Sequence, residues 1–93
     1  MPTATIAGHE VQINDEGFLT EYDEWSEDIA TELASNIGVE MTPRHWEVIK
    51  WLREDYKEKG ETAKIRDLYR LFPGKPAKKM AYIAGVPKPH GCV

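Results

Sequence analysis

One stretch constrains the fold more than any other: "TPRHWEVIKWLREDYKEKG", residues 42 to 60. Thr42 can cap a helix and Pro43 suits the first helical position. Met41 can staple onto Trp46 across the cap, and Gly60 stands where a helix ends in a left-handed turn. Between these signals Trp46, Ile49, Leu52 and Tyr56 recur at helical spacing, with Val48 and Trp51 widening the apolar face. The pattern predicts a helix over 43–59 that forms the centre of the core.

The flanking segments supply its partners. Thr3 to Ile6 and Glu10 to Ile13 are rich in Thr, Val and Ile and are separated by "AGHE", which predicts a β-hairpin. "NDEG" at 14–17 breaks the pattern, and Phe18, Leu19 and Tyr22 are expected to anchor the connection that follows. Two strands alone are marginal and must lean on helices. From Asp23 the period lengthens: Trp25, Ile29, Leu33 and Ile37 recur every four residues and predict a helix of about residues 24 to 36, stopped by Gly38. Thr62 is a candidate cap for a third helix in which Ile65, Leu68, Tyr69 and Phe72 share a face before Pro73-Gly74. A fourth is expected from Pro76 to Ala84, with Met80 and Ile83 inward and Gly85 at its end. The fold class is therefore α+β and mostly α: an N-terminal hairpin packed on about four helices. Residues 1–85 form one domain, and 93 residues leave no room for a second.

After Gly85 the periodicity stops. Pro87 and Pro89 lack amide donors, fix their own φ and push Val86 and Lys88 toward extended conformations. Residues 86–93, "VPKPHGCV", are expected to form a flexible, extended C-terminal arm, shaped by Pro87, Pro89 and Gly91, that spans roughly 26 Å at full reach. At its tip lies Cys92, the sole cysteine. A lone thiol excludes an internal disulfide, and as a thiolate it is a nucleophile with direct access to a partner's cleft. His90 and Lys88 can lower its pKa, whereas a terminal carboxylate on Val93 would raise it. Metal ligation is not expected, because His90 and Cys92 are two ligands of a usual four.

Charge is segregated. Residues 1–61 carry five Lys or Arg against fifteen Asp or Glu; residues 62–93 carry seven Lys or Arg against Asp67 alone. Lys64, Arg66, Arg70, Lys78 and Lys79 in that basic third are candidate partner-binding residues, and they would steer an acidic partner or RNA and favour a thiolate. The sequence has no glycine-rich phosphate loop, G-x-S-x-G, H-E-x-x-H or cysteine pair spaced for zinc. The acid pairs Glu27-Asp28 and Glu54-Asp55 read as solvated helix faces, and His45 as a structural or surface histidine. No apolar run approaches the roughly 20 residues that span a bilayer, and no signal-peptide pattern follows Met1. The expectation is a cytoplasmic protein with no membrane association.

"GHEVQINDEGFL", "EWSEDIATELA", "TPRHWEVIKWLRE", "LYRLFP" and "PAKKMAYIAGVPKPHGCV", in that order, resemble the DsrC/TusE family, which contains the gamma subunit associated with dissimilatory sulfite reductase and the sulfur-relay protein of tRNA 2-thiouridine synthesis. The resemblance covers nearly the whole chain, and "IAGVPKPHGC" is its most specific part. It implies a persulfide carried on Cys92 and exchanged with sulfur-donor and sulfur-acceptor proteins, with sulfite reductase or the tRNA-thiolation machinery among the partners, and no cofactor. Such a chain is a sulfurtransferase-type carrier without a complete active site of its own. Two-cysteine members have a second cysteine eleven residues earlier, where this chain has Ala81, and the link between "KIRDL" and "YRLFP" is shortened. "GKPAK" stands where Gly-Pro-Ala-Lys is usual, and Lys64 where proline is common. Two other readings remain at this point: a non-catalytic regulatory module that meets nucleic acid through a helix-turn-helix, and a docking subunit of a sulfite-reductase-like complex.

Overall fold

The computed structural model describes residues 3–89. Its elements are β1 (Thr3–Ile6), β2 (His9–Gln12), a 3-10 turn (Tyr22–Glu24), α1 (Glu27–Asn36), α2 (Pro43–Lys59), α3 (Ile65–Leu71) and α4 (Ala77–Ala84). The strands pair antiparallel, with Ile6 opposite His9 and Thr3 opposite Gln12. The connection is thus two residues, one fewer than the expected strand bounds leave: Ala7 and Gly8 both take positive φ, 52° and 80°, as a primed hairpin turn requires. β2 consequently starts at His9, one residue before the expected Glu10. Backbone amides beside and within the strands are taken by α-helical and turn carboxylates. Ala7 N–H donates to Glu32 Oε2 and Gln12 N–H to Glu24 Oε1, each at 2.8 Å.

Asn14 folds the next connection by accepting from the amides of Glu16 and Phe18, which drops Phe18 and Leu19 into the core. The helix expected from residue 24 begins later. Residues 22–24 close a 3-10 turn, Trp25 is extended, and Ser26 caps α1 by accepting from Ile29 N–H at 3.3 Å. α2 has the predicted bounds, capped by Thr42 and closed by Gly60 at φ 75°.

α3 departs from expectation in two ways. Its N-cap is Lys64, not Thr62, whose side chain is occupied elsewhere. Tyr69, expected inward, is 50% exposed, and Leu71 is 46% exposed. The reason is length: in a two-turn helix that rests on α4, Leu68 and then Phe72 take the inner face, and Tyr69 is turned off it.

The helix at the centre is α4, which packs against α1, α2 and α3, whereas α2 was expected there. Ala77, Met80, Ala81, Ile83 and Ala84 of α4 are all buried. Around them lie Val11, Leu19, Ile29, Leu33, Val48, Ile49, Leu52 and Leu68; Trp46 and Tyr56 pack at the margin. Small residues at 77, 81 and 84 let neighbouring helices approach closely. The Ala81 side chain is fully buried among them. No helix of the described residues is long and apolar enough to cross a membrane.

Candidate functional site at the base of the arm

A helix leaves its last four carbonyls without partners. At the end of α4 all four are taken, two by backbone and two by side chains from other elements. Val86 N–H donates to Ala81 O and Gly85 N–H to Tyr82 O, both at 3.3 Å, the pairing of a Schellman turn. Trp25 Nε1 donates to Ile83 O and an Arg53 guanidinium nitrogen to Ala84 O, each at 2.8 Å. Gly85 has φ 71°, and a Cβ there would lie 2.5 Å from Trp25 Cδ1. The indole, the guanidinium and the glycine therefore define one junction at the end of α4.

Among the described residues no carboxylate forms a salt bridge with Arg53 at that junction. Its guanidinium lies 3.9 Å from the Tyr22 ring centroid and 4.1 Å from that of Trp25, and it also donates to Tyr22 O at 2.9 Å. Burial pulls its pKa below the ordinary value, with Tyr22 and Asp23 opposing. A guanidinium is suited to such a place because its planar fork stacks on rings and serves two carbonyls at once. Tyr22 in turn stacks on Tyr56 and donates its hydroxyl to Arg53 O at 3.0 Å.

Residues 86–89 belong to this packed junction. Val86 and Pro89 are fully buried, which corrects the expectation that the chain leaves the body at residue 86. Thr62, 4% exposed, donates its hydroxyl to Pro87 O at 2.7 Å. Lys88 Nζ reaches Glu16 Oε2 at 3.3 Å, both side chains being partly solvated. Lys88, expected to support the thiol, thus shares its charge with a carboxylate from the β2–α1 connection. His90, Gly91 and Cys92 lie outside the described residues.

The basic candidates are not gathered into one patch. Lys64 and Arg70 border a cleft of about 400 Å³ between the end of α2 and α3, where Asp55, Glu61 and Asp67 also stand. Lys59 bridges to Asp55 Oδ1 at 3.0 Å there, and Asp55 Oδ2 is buried without a hydrogen-bond partner. Arg66 is exposed on α3, and Lys78 and Lys79 on the first turn of α4. The surface of the basic third is thus of mixed sign around the cleft. His45 completes the cap of α2: Thr42 N–H donates to its Nδ1 and its own N–H to Thr42 Oγ1. Among the described residues no cluster of three or more His, Cys, Asp or Glu could hold a metal ion.

Trp25, Arg53, Thr62 and Glu16 were not singled out from sequence as arm-supporting residues. Arg53 did leave a signal, since a cation directly after Leu52 and four residues after Ile49 sits at the edge of the buried stripe of α2.

The described residues form a hairpin set on four helices, with the last helix feeding a proline-rich segment held at its base. The chain belongs to the family described as DsrC like protein, whose profile matches residues 5–93. It is 38% identical to the sulfurtransferase TusE of Escherichia coli K12 and to that of Shigella dysenteriae, in each case over 92% of this chain and 95% of the relative. Those alignments run over 104 positions against 93 residues here, so the relatives carry residues with no counterpart in this chain. Among solved structures, Allochromatium vinosum DsrC superimposes with a TM-score of 0.79 at 32% identity, covering 98% of this chain and 97% of that one. The oxidized gamma-subunit of the dissimilatory sulfite reductase from Archaeoglobus fulgidus does so with 0.76, also at 32% identity, covering 99% and 100%. The helix-turn-helix reading is not favoured.

Proposed function

We propose that this chain is a sulfur-relay carrier in which Cys92 is the acceptor. The observation that carries the reading is membership of a family whose named relatives are TusE sulfurtransferases and DsrC proteins, in a chain with one cysteine placed after the Pro-Lys-Pro segment. The Cys92 thiolate attacks the outer sulfur of a donor persulfide. The donor's sulfur–sulfur bond breaks, the donor leaves as a thiolate, and the new bond makes Cys92 a persulfide, with no net oxidation or reduction. An acceptor thiolate then attacks the outer sulfur and Cys92 leaves as a thiolate. With Ala81 in the core, no second arm-proximal thiol can discharge the persulfide within the chain, so release depends on an external acceptor.

His90 is the cation assigned to favour the thiolate, with Lys88, tied to Glu16, in a lesser part. Lys64, Arg66, Arg70, Lys78 and Lys79 are assigned to donor and acceptor docking, and Pro87, Pro89 and Gly91 to shaping the arm. The partners are sulfur-donor and sulfur-acceptor proteins of a tRNA-thiolation or sulfite-reductase system, and the reducing cytoplasm is the compartment that keeps such a thiol usable. Intact mass spectrometry before and after treatment with glutathione persulfide tests the reading. The expected result is a gain of one sulfur mass in the native chain and none in Cys92→Ser. The same gain in the serine variant, or none in either, overturns it.

A further inference from the structure

We propose that Thr62 anchors the base of the C-terminal segment: its hydroxyl, by holding the Pro87 carbonyl, fixes the register of residues 86–89 on the body.

Taken over the whole residue, Thr62 is the one buried polar residue among those described. A buried hydroxyl needs a partner, and the sequence offers it a local one, because threonine just before a helix ordinarily caps it. It does not do so here. α3 starts at Ile65 with no side-chain cap at all, while the Thr62 hydroxyl reaches across 25 positions of sequence to Pro87 O at 2.7 Å. The helix is left uncapped and the arm is held.

The arm has little else to be held by. Pro87 and Pro89 have no amide hydrogen, so between Val86 and His90 the only backbone donor is Lys88 N–H. Among the described residues, the segment 87–89 has two side-chain links to the body, Thr62 to Pro87 O and Lys88 to Glu16. The second is a half-exposed ion pair, of the kind that contributes little. Directionality therefore rests on Thr62, with burial of Val86 and Pro89 supplying attraction but no register. Thr62 also borders the cleft that contains Lys64 and Arg70, so the anchor lies within reach of whatever docks there.

The test uses the full chain and two pairs of proteins that differ by the hydroxyl: native against Thr62→Val, and Thr62→Ser against Thr62→Ala, the second pair serving if valine does not fit. Nitrogen-15 relaxation of the Val86 and Lys88 amides is the readout, with thermal melting as the control for folding. Loss of the hydroxyl should lower the ratio of held to released segment about five-fold, the ratio controlled by one ordinary hydrogen bond, and Thr62→Ser should keep it. Sulfur uptake from glutathione persulfide should stay within about two-fold of native in all four, because the thiolate chemistry is untouched. Unchanged Lys88 relaxation in the valine and alanine variants overturns the proposal, as does a failure of serine to restore it. A native chain that takes up no sulfur overturns the carrier reading instead, and the relaxation series then still reports on the anchor by itself.

Discussion

Gly85 meets two demands that no other residue type meets together. Its φ of 71° ends α4, and its missing side chain leaves room for the Trp25 indole, whose Cδ1 would stand 2.5 Å from a Cβ. Gly85→Ala should therefore destabilise by about 2 to 4 kcal/mol, adding the left-handed backbone cost to displacement of a ring that serves Ile83 O. A urea titration that places the loss below about 1 kcal/mol would contradict this geometry. His45 supplies a pH dependence of definite sign. Burial, and then the nearby Lys75, hold its pKa below the ordinary 6.5, and Nδ1 must stay unprotonated to accept from Thr42 N–H. The unfolded chain thus binds the proton first as pH falls. The contribution of His45 is complete above pH 6.5 and is lost as pH drops through its lower folded value. His45→Gln keeps an acceptor at the third helical position. It should flatten this part of the stability profile, measured as urea midpoints from about pH 5 to about pH 7.5.

At the scale of elements, start signals made of side chains predict what removing them does. Ser26→Ala should cost about 1 kcal/mol, because Ile29 N–H loses its acceptor and α1 frays from its first turn. Chemical denaturation measures the loss, and Ser26→Asp should retain most of the stability. The same logic explains which elements could be read from sequence. α2 was legible at both ends because cap, proline and glycine act within a few residues of one another. α1 was read as starting too early, since the four-residue spacing of Trp25 with Ile29 counts equally for a ring that packs on α4 from outside the helix. The hairpin was found, but β2 was read from Glu10 and not His9, because an exposed histidine carries no strand signal of its own. Of the arm, composition gave the lone thiol and the proline brackets. The anchoring of residues 86–89 was hidden, because Val86, Pro89 and the Thr62 hydroxyl meet only after α3 and α4 are in place.

For the whole molecule, stability converges on one short helix. Eight residues of α4 touch the other three helices and lead directly into the arm, so a defect there is felt by the core and the site together. Met80→Ala should cost about 2 to 5 kcal/mol, as other buried truncations do, against a total of about 5 to 15 for a domain of this class. A fall in melting temperature of about 10 °C or more by calorimetry is the expected result. The crossing of Trp25 between core and arm has a further, practical consequence. Its indole lies under a guanidinium and hydrogen-bonds the carbonyl of Ile83 in the last turn of α4. In a chain whose Trp46 and Trp51 are changed to phenylalanine, the emission colour of Trp25 becomes a built-in optical gauge of that junction, readable in real time without any attached dye while a partner docks.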